Sequence, residues 1–337
     1  MAASEDFTRL TSRFRGELLA HCYRMLGSVD EAEDLVQETY LRAWRSYDGF
    51  EGRSSVRTWL YRIATNVCLT AIERRSRRAL PSGLGAPGDP AGPMVASPEV
   101  PWLQPFPHVL FGVEPADPAA AVASRAGMRL ALVAALQYLS ARQRAVLILR
   151  DVLEWPAAEV AEVLSSTVTA VNSALRRARA RLARALPVED EVAEPADPGR
   201  REFLGRYVAA FEDADATALV TLLREDVALE MPPMPVWFSG RAAVVRFFAS
   251  QVLGAPGHIR MIPTMANGQP AFAAYHRDRE GVYRAHAVQV VTVTAAGIAR
   301  IVAFLDPGLF ARFRLPRDLG MAAARPRQPG AEAATPR

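Results

Sequence analysis

The stretch DEAEDLVQETYLRAW, residues 30–44, is typical of one amphipathic helix. Apolar side chains recur at helical spacing, as at Leu35, Val36 and Tyr40. Residues 30–38 contain five acids and no base. Such a run usually forms a solvated helix face. A protein-docking helix is the better interpretation only when other parts of the chain also indicate a partner.

Helices are predicted on both sides of this stretch. A first helical run begins near Phe14 and breaks at Gly27, and Ser28 with Glu31 forms a capping-box pattern that predicts a new helix start. The later run FEGRSSVRTWLYRIATNVCLTAIERRSRR, residues 50–78, predicts a helix from about Ser55. Residues 53–78 hold seven arginines and one acid, Glu73. Aromatics interleaved with arginines suit stacking on unpaired bases, although Trp59 also fits a place in a helical core.

A second helical segment covers residues 125–186. Within it, LSARQRAVLILRDVLEWPAAEVAEVLSSTVTAVNSALRRARARL, residues 139–182, predicts a helix capped by Ser140, a short helix with Pro156 in its first turn, and a longer basic helix. This order indicates a helix-turn-helix, whose second helix enters the major groove. A helical hairpin with a solvated basic face is the alternative. The residues predicted to face base edges are Val171, Asn172, Ser173, Arg176 and Arg177, while Arg179 and Arg181 would meet phosphates.

Composition divides the rest of the chain. Residues 79–124 are rich in Pro, Gly and Ala and predict a flexible linker, and residues 187–199 form a second, acidic linker. Residues 200–316 show two helical runs followed by strand-like runs such as VALEM, IRMIPTMA and YRAHAVQVVTVT. We therefore predict two all-α domains and then an α+β domain with a series of antiparallel strands. Residues 317–337 predict a disordered tail.

The bulk composition excludes several classes of protein. The 337 residues carry a net charge of +4, and all 40 basic residues are arginine. No apolar run is long enough to span a bilayer and no signal peptide is evident, so we expect a soluble cytoplasmic protein. Cys22 and Cys68 are expected to be buried reduced thiols. The five histidines form no ligand pair, so no metal and no cofactor are predicted.

Taken together, residues 30–44 and 50–78 closely resemble region 2 of extracytoplasmic-function sigma factors, and residues 139–182 resemble their region 4. The resemblance implies a subunit of bacterial RNA polymerase that binds promoter DNA, with a separate anti-sigma factor as a further candidate partner. The clamp helices of the largest polymerase subunit would bind Asp34, Leu35, Gln37 and Glu38. The −10 promoter element would be read by Arg53, Arg57, Trp59, Arg62 and Asn66, and the −35 element by the helix over residues 168–184. Ser165 and Ser166 replace a turn glycine common in the family.

Residues 200–316 resemble the SnoaL-like branch of the NTF2-like fold, as in EMPPMPVWFSGRAAVVRFF, ANGQPAFAAY and VAFLDPGLF. Sigma factors with this appended domain form an actinobacterial subgroup often called sigma factor G-like. The fold implies a cone with a pocket for a small-molecule ligand. The candidate lining residues are Glu230, Trp237, Tyr275, His286, Gln289 and Asp306.

Two classes of function follow from these resemblances. The first is a transcription initiation factor whose C-terminal domain senses a ligand or docks on the rest of the chain. The second is a SnoaL-type enzyme fused to a DNA-binding region, with His286 and Asp306 as general acid and base. The complete region 2 favours the first class, because a simple repressor needs only the helix-turn-helix. No catalytic residue is therefore assigned.

Overall fold

The computed structural model describes residues 2–52, 54–73, 76–111, 125–185 and 198–320. The first helices form what we call the N-terminal helical unit: α1 (Ala2–Thr11), α2 (Arg15–Leu26), α3 (Val29–Arg45) and α4 (Val56–Ile72). The predicted cap of α3 is confirmed, because the Ser28 hydroxyl accepts from the Glu31 amide at 3.3 Å. The Glu31 carboxylate does not complete a capping box; it pairs with Arg78 at 2.8 Å.

The helix-turn-helix unit follows with four further helices: α5 (Leu130–Leu136), α6 (Ala141–Leu147), α7 (Ala157–Val163) and α8 (Val168–Ala185). A wider helical turn, Ile148–Val152, extends α6. The cap predicted at Ser140 is confirmed as a full capping box with Gln143. Ser165, between α7 and α8, has a φ of 46°, a left-handed conformation that explains why a glycine is common at this turn.

The sheet domain contains the remaining helices and all the described strands. Its helices are α9 (Pro198–Glu212), α10 (Ala216–Leu222), α11 (Arg241–Phe247) and α12 (Leu309–Arg312). Its strands are β1 (Leu223–Glu230), β2 (Trp237–Ser239), β3 (Ile259–Ala266), β4 (Gln269–Arg277), β5 (Tyr283–Thr294), β6 (Gly297–Phe304) and β7 (Asp318–Leu319). The strand order is β2-β1-β6-β5-β4-β3, with β7 beside β5. The predicted antiparallel series was wrong for one pair, since β1 lies parallel to β6.

The two faces of this sheet belong to different cores. Along β4, Phe272 and Ala274 pack with the helices α9–α11, whereas Ala273 and Tyr275 belong to a second cluster. Successive side chains of a strand point to opposite faces, so the second cluster covers the other face of the sheet. That cluster continues through residues of both helical units. The sheet domain is therefore joined to the rest of the protein by a continuous apolar core.

Residues 79–111, the connecting segment, differ from the predicted flexible linker. They are irregular apart from short helical turns at Pro81–Gly83 and His108–Leu110, but Leu80, Leu103 and Phe106 are buried in the shared core. Ala79 forms a bridge with Trp102, and Pro107 forms one with Ala266 of β3. Proline-rich sequence lacks the periodicity of helices and strands, and its few apolar residues do not reveal that they pack on other parts of the chain. Residues 112–124 of the predicted linker lie outside the described residues. Of the predicted acidic linker, 187–199, residues 187–197 also lie outside them, and residues 198–199 begin α9. Of the predicted disordered tail, 317–337, residues 318–319 instead form β7 and pair with β5, and residues 321–337 lie outside the described residues.

Cys22 and Cys68 are both buried and form no disulfide with each other, as expected. A hydrogen bond with Cys22, together with burial, raises the pKa of the Cys68 thiol well above its usual value. The Cys68 thiol is thus held in the protonated, unreactive form. Among the helices that the structure describes, none is long and apolar enough to cross a membrane.

Candidate nucleic-acid and protein interfaces

The acidic helix α3 presents part of its predicted docking set to solvent. Asp34 and Gln37 are exposed, while Leu35 and Glu38 are half-buried. Glu38 pairs with Arg42 at 2.7 Å. The sequence reasoning missed two further members of this face.

Those members are Leu41 and Trp44, which are 52% and 42% exposed. They follow Asp34 and Gln37 at intervals of three and four residues, so the four side chains form one stripe along the helix. Large exposed apolar side chains in a row favour contact with a protein partner. Their helical spacing was visible in the sequence and could have identified them.

Helix α4 carries the residues predicted to read the −10 element. Arg62 and Asn66 are exposed, and Arg53 lies outside the described residues. Trp59 is half-buried, with its ring 4.7 Å from that of Phe50, so the tryptophan packs within the unit while part of its surface stays accessible. Stacking on a base and packing in a helical core are both compatible with this position.

Arg57, the remaining −10 candidate, is engaged inside the protein. Its guanidinium pairs with Glu17 at 2.7 Å and lies 5.1 Å from the ring centre of Tyr61. The same guanidinium lies 5.5 Å from the ring of Trp155, which belongs to the helix-turn-helix unit. Although burial opposes its charge, neighbouring Tyr61 and Glu17 raise the pKa of Arg57. This arginine is therefore part of the contact between the two helical units.

The rings of Tyr61 and Trp155 extend that contact, with centres 5.1 Å apart. Burial raises the pKa of Tyr61 well above its usual value. Nearby, the buried Arg144 guanidinium donates to the carbonyls of Met25 and Leu139. The helix-turn-helix unit thus packs directly on the helix that is predicted to read the −10 element.

The residues of α8 that are predicted to face base edges differ in their exposure. Asn172, Arg176 and Arg177 are exposed, and Ser173 is half-buried. Val171 is only 1% exposed and lies in the apolar core, so the prediction that it faces base edges was wrong. The burial of Val171 follows from its position on the helix.

Residues three, four and seven positions after Val171, namely Ala174, Leu175 and Ala178, are also buried and mark the inward face of α8. Arg179, on the exposed side, is held by the two carboxylate oxygens of Asp151 at 2.7 and 2.8 Å. Such a bidentate pair fixes the direction of the guanidinium. The pair uses the Nε and Nη2 groups of Arg179.

Gln104 of the connecting segment caps the start of α3, a role that nothing in the local sequence indicated. Its side-chain oxygen accepts from the Val29 amide at 2.8 Å and from the Ser28 hydroxyl at 2.9 Å. Its amide nitrogen donates to Asp30 at 2.8 Å. The first amides of a helix lack partners within the helix, so this glutamine stabilises the acidic helix from outside. Gly27, with a φ of 72°, lets the segment approach, because a Cβ there would lie 2.5 Å from Leu103.

Asn267, in the tight turn between β3 and β4, joins all parts of the chain. Its side-chain oxygen accepts from the Phe106 amide at 2.8 Å, and its nitrogen donates to the Tyr23 hydroxyl and the Met128 carbonyl, each at 2.9 Å. Asn267 is completely buried, and Asn-Gly is a favoured pair in two-residue hairpins. Gly268 is required there, since a Cβ would lie 2.8 Å from the Arg125 carbonyl.

The residues predicted to line a ligand pocket in the sheet domain are not brought together. Glu230 is completely buried, pairs with Arg300 and accepts from the Ser82 amide at 2.9 Å. The Trp237 indole donates to the Gly85 carbonyl at 2.8 Å. These two residues hold the connecting segment.

The other candidates have separate partners. The Tyr275 hydroxyl donates to the Pro316 carbonyl at 2.9 Å, and Gln289 accepts from Tyr207 on the side of α9. His286 stacks on His276 with ring centres 3.8 Å apart. Burial, with His286 and His258 nearby, lowers the pKa of His276 to about 3. Asp306 is exposed and accepts from the Gly308 amide, so the proposed acid–base pair of His286 and Asp306 is not assembled in this structure.

Three family models match the chain: Sigma-70 region 2 at residues 10–78, Sigma-70, region 4 at residues 129–182, and SnoaL-like domain at residues 204–303. The ECF RNA polymerase sigma factor SigG of Mycobacterium tuberculosis is 50% identical over 317 residues, which cover 93% of this chain and 85% of that protein. The chain belongs to the extracytoplasmic-function sigma factors.

A second relative supports the same arrangement of this sigma factor. SigJ of Mycobacterium tuberculosis is 31% identical over 299 residues, covering 83% of this chain and 85% of that protein. The crystal structure of SigJ covers 93% of this chain and 100% of its own, with a TM-score of 0.58 at 25% identity. The N-terminal helical unit is thus sigma region 2, the helix-turn-helix unit is region 4, and the sheet domain is SnoaL-like. A sigma factor is a transcription initiation factor and not an enzyme.

Proposed function

We propose that this sigma factor exists in a docked state that cannot read a promoter, and that it directs promoter-specific initiation after RNA polymerase opens this state. The observation that carries the proposal is the contact of Arg57 and Tyr61 with Trp155. It joins the helix predicted to read the −10 element to the unit predicted to read the −35 element. The two reading surfaces therefore have a short, fixed separation in the docked state.

That separation is far below what a promoter requires. Helix α4 packs on α6 and α7, and both of these pack on α8. Packed helix axes lie about 8–10 Å apart, so two such steps place α8 about 20 Å from α4. Elements centred near −10 and −35 are about 25 base pairs apart, or about 85 Å at about 3.4 Å per base pair. The docked units must separate before both elements are bound.

In the open state, we assign the −10 contacts to α4 and the −35 contacts to α8. Opening frees Arg57 from Trp155, so that it joins the other −10 candidates, Arg53, Trp59, Arg62 and Asn66. On α8, the base-reading residues are Asn172, Ser173, Arg176 and Arg177, and Arg179 reaches a phosphate after leaving Asp151. Arginine is well suited to both kinds of contact.

Core polymerase can reach its docking helix before the units separate. Asp34, Leu35, Gln37 and Glu38, extended by Leu41 and Trp44, form the surface that we assign to the clamp helices. In the docked state Arg312 of the sheet domain pairs with Asp30 and contacts Glu33 at 3.4 Å, near the start of α3. The exposed stripe lies further along the helix. Polymerase binding to this stripe therefore precedes opening, and it competes with Arg312 only near the start of α3.

The sheet domain then acts as a built-in regulator of opening. Glu230, Trp237 and Asn267 bind the connecting segment, which in turn caps α3 through Gln104. The domain thereby favours the docked state, and any ligand or partner that releases it favours the open state. A catalytic role is not favoured, because His286 and Asp306 have separate partners.

A distance measurement tests this proposal. Cysteines introduced at the exposed positions Arg45 and Ala183 carry a fluorophore pair, and the native cysteines stay unlabelled because they are buried. We expect a short distance in the free protein and an increase of tens of ångströms with core polymerase and promoter DNA. In vitro transcription by the labelled protein is the control for function. An unchanged distance in an initiating complex would exclude the docked state as an inactive form.

A further inference from the structure

A cavity of about 520 Å³ lies where the connecting segment, the helix-turn-helix unit and the sheet domain meet. Its walls come from residues 78–83, from α5 and α8, and from Arg300 on β6. Small-molecule sites in proteins have volumes of about 300–1,000 Å³ and often lie between domains. We call this space the arginine cavity.

Four arginines line the arginine cavity: Arg78, Arg181, Arg184 and Arg300. Two of them are compensated, since Arg78 pairs with Glu31 and Arg300 pairs with Glu230. Among the described residues no carboxylate lines this space. The lining that the structure describes therefore carries excess positive charge.

The excess charge comes from the C-terminal end of α8. Arg181 has only a long contact with the neutral Gln143 side chain, at 3.5 Å, and Arg184 has no ion pair within the described parts of the chain. Both side chains are exposed to the cavity and to solvent. A planar guanidinium donates two parallel hydrogen bonds to phosphate, which makes a pair of free arginines a suitable phosphate site.

The opposite wall is apolar and aromatic. Ala131, Ala134 and Ala135 line it from α5, and these positions share one face of the helix. Tyr138 is 41% exposed, with the Arg77 guanidinium 4.1 Å from its ring centre. A flat wall of methyl groups beside an aromatic ring suits a planar heterocycle.

We propose that the arginine cavity binds a nucleotide with two or more phosphates. The phosphates pair with Arg181 and Arg184, and the base lies against Tyr138 and the alanine face of α5. Inorganic polyphosphate can make the contacts with the arginines but not those of the base. An experiment can therefore distinguish a nucleotide from a polyphosphate.

Binding has a consequence for transcription that rests on the docked state proposed above. The cavity exists only while the three units are together, so a nucleotide bound there stabilises the docked state by mass action. It also occupies arginines at the end of the recognition helix. A bound nucleotide therefore opposes opening and promoter binding.

Calorimetric titration of the full-length protein with ATP, GTP and tripolyphosphate tests the site without DNA or polymerase. Its outcome requires that the free protein be docked, which the distance measurement on the free protein checks separately, but it does not depend on whether polymerase opens the docked state. We expect both nucleotides to bind and tripolyphosphate to bind more weakly. The double variant Arg181→Ala/Arg184→Ala should weaken nucleotide binding at least tenfold. The matched control Arg176→Ala/Arg177→Ala removes the same charge from the same helix outside the cavity and should change affinity less than twofold.

Two further variants guard against indirect effects. Ala134→Glu leaves every arginine in place but puts a carboxylate on the cavity wall, and it should also weaken binding at least tenfold. Tyr138→Ala should bring nucleotide affinity down to that of tripolyphosphate. The proposal is overturned if no probe binds, if the two arginine doubles lose affinity equally, or if tripolyphosphate binds as tightly as the nucleotides.

Discussion

Asn267 is the position where a single side chain has the largest expected effect on docking. The three hydrogen bonds of its side chain connect the sheet domain to α2, to the connecting segment and to the residues before α5, and all of them are inside the protein. A buried hydrogen bond contributes about 1 kcal/mol net. Loss of three therefore costs the docked state about 3 kcal/mol, which corresponds to a shift of about a hundredfold in the docking equilibrium.

The suitable substitution is Asn267→Gly. Asn267 has a φ of 54°, so alanine would add backbone strain, whereas glycine adopts this conformation freely and removes the side-chain amide together with its single methylene. Once the domain undocks, water satisfies the groups that the variant leaves without partners. The free-energy cost therefore falls mainly on docking and not on the fold of the sheet domain.

Amide hydrogen exchange measures this shift directly. The amides of Leu103 and Gln104 donate to Ala79 and Gly27, so they do not contact Asn267 and report on release of the connecting segment. We expect their exchange to accelerate about a hundredfold in Asn267→Gly, because exchange follows the population of the open form.

Two comparisons make the result specific. The amide of Val291, inside β5, should keep its protection, and Glu280→Gly, in an exposed loop of the same domain, should leave Leu103 and Gln104 unchanged. If Asn267→Gly leaves exchange at these two amides as in the wild type, the hairpin does not hold the connecting segment in place and the argument for docking through Asn267 fails.

Four other predictions concern the proposed surfaces and the core. Replacing Asp34 and Glu38 by arginine should weaken association with core polymerase at least tenfold in a pull-down, with helical content by circular dichroism unchanged; full binding would remove α3 as the docking helix. Arg177→Ala should lower holoenzyme affinity for promoter DNA about tenfold in a salt-dependent binding assay, and wild-type promoter use would contradict the assignment of α8. Val171→Ala should lower the free energy of unfolding by about 2 kcal/mol without altering the preferred −35 bases. A changed base preference would show that Val171 does contact a base. Burial, with Arg24 and Arg57 nearby, lowers the pKa of His21 to about 3. The unfolded chain therefore binds a proton at His21 that the folded state excludes. The free energy of unfolding, measured by urea denaturation, should be about 2 kcal/mol lower at pH 5 than above about pH 6.5. An equal decrease in His21→Gln would rule out this histidine as the cause.

Local patterns were enough to locate most of the elements. The run Tyr283–Thr294 is one strand as predicted, and the caps at Ser28 and Ser140 lie where the spacing indicated. These features depend on neighbours within a few residues, so the sequence carries their full signal. The resemblance to sigma regions 2 and 4 is likewise carried by continuous motifs.

The inward position of Val171 was also available from the sequence, because its spacing to Ala174 and Ala178 marks a buried helix face. The start of a helix in a helix-turn-helix suggests base contacts, and for Val171 that expectation conflicts with this spacing. The candidate pocket failed for a different reason. Glu230 and Trp237 are polar groups in a sheet, and nothing near them in the chain shows that their partners are Ser82 and Gly85.

The helical units, most strands, the acidic and basic helices and the family could all be predicted from the order of the amino acids. Three features depend instead on how the chain packs: residues 79–111 lie against the core, Gln104 caps a helix 74 to 76 residues away, and Trp155 covers Arg57. A helix or strand is stabilised by periodic contacts along a short stretch, which leave a regular pattern. A single hydrogen bond or ring contact between distant segments leaves no period in the sequence, because its partner is set by how the whole chain packs.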